Sequence, residues 1–403
     1  MERSHLKILH ILGSGHLHKD PDAAALSGVV RVTLEYAKRQ AVLGHEVHVV
    51  GFGESHSAFT WSGIKMTSLE EFSWAQVQFG KRRFDFRRHL PLVLHTLTTK
   101  FDVIHSHMHP YFRWMRGNLK VAHMHTASQA DANGKLLAHT KAGLIRLDRE
   151  ADLVIAVSLF VKTQLQSYVR DHKLRIIYNG GGFTTDQWNE ALIKREATRN
   201  RLNVPKNGLL IMYAGAFVPE KGVHHLAQAF ATLAGQHPQI FLALAGGGGL
   251  WGNSQIHDIN ARKYTENLQA ILSPVRDRTR FLGLVPSNQM ATVYASADIL
   301  VVPSIWQEAF GITALEGLSG ALPVIASRSG GLAELIGEKR GLLVPPGDDH
   351  ALTQALEHLI SNPVKRKMLG EQGQAYAREP QFTWDQAARQ TLALYEEYLG
   401  GQK

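Results

Sequence analysis

Glu308 and Glu316 stand eight residues apart in Glu308-Ala-Phe-Gly-Ile-Thr-Ala-Leu-Glu316, with Gly317 directly after the second. An apolar run, Ile299-Leu-Val-Val-Pro303, precedes this stretch, and Ala321-Leu-Pro-Val-Ile-Ala326 follows it. Both runs read as buried parallel strands, so the nonapeptide is a strand-to-helix junction, where α/β sheets usually bind ligands. A helix over 309–318 would aim its free amides and its dipole at that junction and favour an anion. The spacing also excludes one chemistry. Eight helical residues span roughly 12 Å, whereas a glycosidase acid and nucleophile sit about 5 to 10 Å apart across one bond. Carboxylates set about 80° apart around a helix suit the two ends of one long ligand.

In these residues the chain resembles the retaining glycosyltransferases of family 4, whose GT-B fold carries Glu-x7-Glu on this junction. The position after Val-Val-Pro-Ser304 and around Phe310-Gly311 makes the match specific, and the resemblance covers nearly the whole chain. It implies that Glu308 meets a donor sugar, with Phe310, Gly311, Ile312 and Thr313 beside it, and that Glu316 grips the ribose of a nucleotide. Lys221, in Gly215-Ala-Phe-Val-Pro-Glu-Lys-Gly222, matches a lysine beside the leaving diphosphate, where a fixed cation stabilises developing charge. The same loop departs from the family at Ala216, where the pattern has arginine. That loss removes on the order of several kcal/mol of leaving-group stabilisation unless another group replaces it. Arg31, Arg328 and His224 are the candidates.

Other landmarks follow the same resemblance. His125 ends the apolar strand Val121-Ala-His-Met-His-Thr126 and matches a histidine beside the reacting sugar; a purely structural histidine is the plain alternative. Gly28, in Ser27-Gly-Val-Val-Arg31, matches a Gly-Gly-Val turn that lets backbone approach the diphosphate, with Ser27 in place of the first glycine. A serine N-cap accounts for the same residues, and both can hold. Gly246 opens a glycine run to Gly249 that matches a turn near the nucleotide; a flexible turn without a ligand fits equally. Val285 lies in Leu282-Gly-Leu-Val-Pro286, which resembles the segment whose backbone reads the base.

His105, His107 and His109 alternate in Val103-Ile-His-Ser-His-Met-His-Pro110. Three histidines on one strand face could ligate zinc, but no Glu-rich helix accompanies them and the run ends at a proline. The resemblance also implies a transfer that uses no metal, so no metal site is expected. His107, His109 and, in the first loop, His16 are candidates for an acceptor-side wall, with plain structure as the alternative.

These residues need a scaffold, and the chain builds the same one twice. Leu6 to Leu12, a loop to Gly28, a helix over 29–43 and the strand Glu46 to Val50 form one strand–loop–helix–strand opening. Leu209 to Ala214, the Lys221 loop, a helix to about Ala234 and the strand Ile240 to Ala245 form another. The repetition predicts two Rossmann-like halves. The polar stretch 180–207 reads as their junction, and 383–398 as a terminal helix. The GT-B resemblance implies an α/β fold with two Rossmann-like domains whose parallel sheets face across a cleft. It implies an acceptor domain over 1–183, a nucleotide-sugar domain over 184–383, and a last helix, about 384–403, crossing back to the first. The first loop, Gly13-Ser-Gly-His-Leu-His18, is not a dinucleotide fingerprint, and 214–222 is not a P-loop.

Of 403 residues, 44% are hydrophobic and 20% charged, ordinary for a soluble protein of two or three domains. No apolar stretch approaches the roughly 20 residues of a membrane span, and the start has no signal-peptide layout. The absence of cysteine excludes disulfides and thiolate metal sites. A cytoplasmic enzyme is the expectation. The net charge of +9 suits anionic partners. The basic stretch Lys81 to Arg88, continued by His89 to Leu94, reads either as the solvated start of an amphipathic helix or as a patch resting on an anionic membrane. Nucleic acid is not expected, since no recognition motif accompanies the charge.

The resemblance, which these features fit, implies a retaining, metal-independent hexosyltransferase that moves a sugar from a nucleotide donor to a hydroxyl acceptor and needs no cofactor. A UDP-sugar is favoured and GDP-mannose stays open. The alternatives are an epimerase or phosphorylase on the same fold, or a degenerate nucleotide-sugar-binding protein weakened at Ala216.

Overall fold

Short apolar runs between Gly- and Asp-rich loops decide this architecture, because a strand buried on both faces needs near-continuous Val, Ile and Leu. The computed structural model describes residues 5–12, 17–24, 26–53, 56–79, 82–107, 112–126, 138–248 and 259–401. His16 and His109 lie outside these residues. The chain divides into two compact units. The first comprises Met1–Pro21, Ser27–Gly180 and Trp384–Lys403; the second comprises Asp22–Leu26 and Gly181–Thr383.

The first unit contains β1 (Lys7–Ile11), β2 (Glu46–Gly53), β3 (Ser57–Trp61), β4 (Ile64–Glu70), β5 (Gln76–Phe79), β6 (Arg82–Asp85), β7 (Phe101–Ser106), β8 (Gly117–Met124), β9 (Leu153–Ala156) and β10 (Leu174–Ile176). Eight of them form one sheet in the order β10-β9-β8-β7-β1-β2-β4-β3. Its neighbours run parallel except at the edge, where β3 pairs antiparallel with β4. The sheet is thus parallel, as expected, with one antiparallel strand added at its edge. Ser62 and Gly63 both take positive φ, 49° and 78°, which closes the tight hairpin whose twist suits paired strands. The C-terminal helix Trp384–Gly400 packs against the helix Gly28–Val42, with the Trp384 ring edge-on to Tyr36 at 6.2 Å.

The basic stretch is also corrected. Arg82–Asp85 is a strand paired with β5, and the helix begins only at His89, running to Thr98. The bulky residues Val77, Phe79, Phe84 and Phe86 alternate at period two, which suits a hairpin and not a helix.

The second unit holds β11 (Leu209–Ala214), β12 (Ile240–Ala245), β13 (Thr279–Gly283), β14 (Ile299–Val302), β15 (Val324–Ser327) and β16 (Gly341–Val344) in one parallel sheet, ordered β13-β12-β11-β14-β15-β16. Its core joins sheet residues such as Ile211, Leu242 and Val301 to Leu226 and Phe230 of the helix Val223–Ala234. The stretch 180–207, read as the junction, contains the division between the two units at Gly180–Gly181. It folds into helices Thr185–Ile193 and Arg195–Arg201. Its polarity belongs to their solvated faces. A capping box starts the first: Thr184 Oγ1 accepts from the Gln187 amide at 3.2 Å, and Gln187 Oε1 accepts from the Thr184 amide at 3.0 Å.

Candidate functional site

The strand order of the second unit reverses between β11 and β14, and ligands of open α/β sheets bind at such a switch point, outside the carboxyl ends of the strands. The loops leaving these two strands carry Lys221 and Glu308. Their side chains meet: Lys221 Nζ donates to Glu308 Oε1 at 2.5 Å. Ser304 Oγ at 2.6 Å and Trp306 Nε1 at 3.1 Å donate to the same oxygen. Lys221 Nζ also stands 5.3 Å from the centre of the Trp306 ring. Burial pushes the Glu308 carboxyl up, but the Lys221 charge and the hydrogen bonds from Lys221, Ser304 and Trp306 together outweigh it and hold it below its ordinary range. Glu308 is therefore an anchored carboxylate, weak both as a base and as a nucleophile.

Backbone contacts fix this pair. The Glu220 carbonyl accepts from the amides of Ile305 at 2.9 Å and Trp306 at 3.3 Å, joining the two loops. Gly222 has φ 67°, and a Cβ there would lie 2.0 Å from the Pro303 carbonyl oxygen, so only glycine allows the approach. The Glu308 carbonyl accepts from the Gly331 amide at 2.7 Å.

The helix after Glu308 begins later than its sequence suggests. Gly311 takes φ 103° and caps a helix running Ile312–Ser319. Ala309 and Phe310 are buried in the preceding turn, so a helix over 309–318 is corrected, and with it the inference that both glutamates ride one helix. The amides of Ile312 and Thr313 still fall in the first turn, where helices lack internal acceptors. Glu316 is buried on that helix, and Tyr294 Oη donates to its Oε2 at 2.8 Å.

Gly246 takes φ 147° directly after β12, and a Cβ there would lie 1.8 Å from the Gly215 carbonyl oxygen. The β11 and β12 loops thus meet backbone to backbone, with the Phe217 amide donating to Gly247 O at 2.7 Å. Ala216 sits in the first of these loops, its carbonyl accepting from Tyr213 Oη at 2.7 Å. Among the candidates to replace an arginine there, His224 is held below its ordinary pKa by burial and by its neighbour His225, so it is a poor cation. Arg328 is exposed at the end of β15. Val285 is part-buried in the turn after β13.

In the first unit, Gly28 opens its helix, and a Cβ at that position would meet nothing within 4 Å, so the fold itself does not require glycine there. Ser27 is the N-cap residue, but its side chain makes no capping hydrogen bond; the expected serine cap is corrected. His125 lies just past β8, with Nε2 paired to His107 Nδ1 at 3.0 Å. Burial lowers its pKa to about 3, so the ring is neutral. His107 is fully buried, and its Nε2 pairs with His10 Nδ1 at 2.9 Å. Its side chain therefore cannot wall an acceptor, and that expectation is corrected. Sequence reasoning missed Ser304, Trp306, Tyr294 and His10. Only Ser304 carried a signal, through the Val-Val-Pro-Ser run.

Two family models match the chain: Glycosyltransferase Family 4 over residues 26–180 and Glycosyl transferases group 1 over 194–376. An uncharacterized glycosyltransferase of Methanocaldococcus jannaschii is 28% identical over 314 residues, covering 74% of this chain and 75% of that one. The D-inositol 3-phosphate glycosyltransferase of Corynebacterium glutamicum is 33% identical over 208 residues, 51% of this chain and 48% of that one. Among solved structures, sucrose-phosphate synthase from Thermosynechococcus elongatus superposes with a TM-score of 0.76 at 22% identity, covering 98% of this chain and 99% of that one. The Anabaena protein HepE, solved with UDP and glucose, gives 0.72 at 21% identity, over 96% of this chain and all of that one.

Proposed function

Since the chain belongs to the family-4 glycosyltransferases of the GT-B fold, we propose that it transfers a hexosyl unit from a nucleotide sugar to a hydroxyl, with retention at the anomeric carbon. The second unit, over roughly 184–383, binds the donor in this reading, and the first unit receives the acceptor. The observation that carries it is the anchored Glu308 carboxylate beside Lys221 at the switch point of the second unit. A carboxylate matched by a cation and two further donors does not attack carbon readily, but it holds a sugar hydroxyl well. That favours a front-face substitution. The acceptor oxygen forms its bond to the anomeric carbon on the side where the bond to the diphosphate breaks. The leaving phosphate oxygen takes the acceptor proton, and no protein nucleophile is required.

The amines and amides have matching tasks. Lys221 keeps two of its three N–H donors after pairing with Glu308, and they serve the diphosphate as its charge develops. The first-turn amides of Ile312 and Thr313, with Phe310 and Gly311, line the sugar side of the junction. Glu316, oriented by Tyr294, takes the ribose hydroxyls. Gly246 and Val285 border the nucleotide. Gly28 remains a backbone contact to the diphosphate, supported by the open space where a side chain would stand. His125 supports the transferring sugar. A UDP-sugar is the favoured donor, the class with which the Anabaena neighbour was solved, and the reaction as read here needs neither metal nor cofactor. The stereochemical course tests the mechanism. Proton NMR of the first product formed from an α-configured donor should show an α linkage; a β linkage contradicts it.

A further inference from the structure

Five histidines from three elements converge on one face of the first sheet. His10 is in register with His105 across β1 and β7. His105 and His107, like His123 and His125, are two apart and so point the same way. The rings form two layers. In one, His10, His107 and His125 lie side by side, with ring centres 5.1 and 5.2 Å apart and facing nitrogens at 2.9 and 3.0 Å. In the other, His105 and His123 lie side by side, centres 5.2 Å apart and nitrogens at 3.1 Å, with Tyr395 Oη paired to His105 Nδ1. His105 stacks on His107 at 4.3 Å and 14°, and His123 lies over His125 at 4.2 Å, tilted by 32°.

Two trios, His10–His105–His107 and His107–His123–His125, each bring three ring nitrogens within 4.8 Å. This is not the arrangement of a metal centre. Lone pairs lie in the ring planes, so rings that lie over one another, as His105 over His107 and His123 over His125, do not aim theirs at one point, as tetrahedral ligation requires. Within each layer the nitrogens face one another at hydrogen-bond distance instead.

A neutral imidazole offers one N–H and one acceptor, so a row of them runs in a single direction. Gln40 Oε1 stands 2.7 Å from His10 Nε2 and sets that direction. His10 donates from Nε2, so its Nδ1 accepts from His107 Nε2. His107 Nδ1 then accepts from His125 Nε2. What remains is the lone pair of His125 Nδ1, a buried atom without a hydrogen-bond partner among the described residues. Turning the Gln40 amide over would reverse the row and strand an N–H at His125 instead. The Gln40 Nε2 at the other arm of the amide is likewise buried without a hydrogen-bond partner among the described residues, so the direction of the row rests on Gln40 Oε1 being the atom that faces His10.

We propose that Gln40, His10 and His107 hold the proton of His125 on Nε2, making its Nδ1 an acceptor for a ligand hydroxyl. His10 and His107 are positioning residues. That the hydroxyl belongs to the transferred sugar rests on the function proposed above; the tautomer does not.

Long-range proton–nitrogen correlation spectra of histidine-labelled protein, at neutral pH and without ligand, read the tautomer directly. The wild type should show His125 with a protonated Nε2 and a bare Nδ1. His107→Phe, which keeps a stacked ring but no hydrogen bond, should give mixed tautomers at His125. It should also lower kcat roughly tenfold with little change in the KM for the donor. His107→Gln, which can still accept from His125 and donate to His10, should restore both. Gln40→Leu should mix the tautomers from the far end of the row. A proton on His125 Nδ1 in the wild type overturns the proposal, even if His107→Phe fails to fold. So does a His125 tautomer unmoved by His107→Phe and Gln40→Leu. Absence of turnover with every donor would count against the proposed function, and the spectra would still decide the tautomer.

Discussion

Glu308 Oε1 accepts from Lys221, Ser304 and Trp306 at once, and this crowding defines what the residue can do. Its charge is compensated before any ligand arrives, which suits the proposed role of orienting a sugar hydroxyl and not that of a nucleophile. Glu316 is treated differently: it is buried, with a tyrosine hydroxyl on one oxygen. If it holds the ribose, Tyr294 fixes the carboxylate's angle. Tyr294→Phe should weaken nucleotide binding about fivefold, the worth of one hydrogen bond of roughly 1 kcal/mol, with kcat at saturating donor nearly unchanged. Calorimetric titration with UDP, beside the kinetics, measures this; unaltered affinity removes Tyr294 from the site. The Glu-x7-Glu pair was legible because its residues are consecutive in one junction. Tyr294 was not, since nothing in a short helix 22 residues upstream signals which carboxylate it will meet.

At the scale of elements, the proposed donor side depends on two loops pressed together at the β11/β14 switch point. Gly222→Ala places a methyl group 2.0 Å from Pro303 O at φ 67°. It should destabilise the protein by at least about 2 kcal/mol, and Glu220→Ala, at an exposed side chain of the same loop, should not. Thermal unfolding of the two variants makes the comparison. Equal melting temperatures would show that the loops are not locked.

A second element-scale feature lies in the segments that flank the β5–β6 hairpin, the helix His89–Thr98 included. Trp74, Trp114, Leu94 and Leu97 are exposed, Trp114 at φ 67° with the Arg113 guanidinium 5.0 Å from its ring centre. Aromatic and aliphatic side chains beside arginines suit an anionic lipid surface. Vesicles containing phosphatidylglycerol should therefore retain the wild-type protein in flotation and release it after Trp74→Ala with Trp114→Ala. Equal retention would dismiss the patch. The sequence marked the charge of this region but assigned it to a helix, because alternation over four-residue strands is too short to outweigh a basic run. The strands β11 and β12, each six residues of unbroken apolar character, were legible to their ends. The histidine rows were invisible for the opposite reason: sequence shows alternation along one strand, never the register that sets His10 beside His105.

At the scale of the whole molecule, the buried histidines make folding pH-dependent. Burial lowers His10 to about 4 and His125 to about 3 from 6.5. The unfolded chain therefore binds these protons first as pH falls. Stability is complete above about 6.5 and is lost between there and pH 4 for His10, or pH 3 for His125, at about 1.4 kcal/mol per pH unit for each group. Melting temperature should drop steeply from pH 7 to pH 5, and less so in His10→Gln; a flat profile would mean the histidines are hydrated. No described helix is long and apolar enough to cross a membrane, and the +9 charge draws anionic ligands to the chain as a whole. The central claim is donor cleavage at the Lys221–Glu308 pair. Its most direct test is nucleotide release from a panel of UDP-, GDP- and ADP-sugars, with sugar and lipid-analogue acceptors, by wild type, Glu308→Gln and Lys221→Ala. We expect release from one donor class, reduced about a hundredfold or more in both variants; release that survives both substitutions would contradict the account.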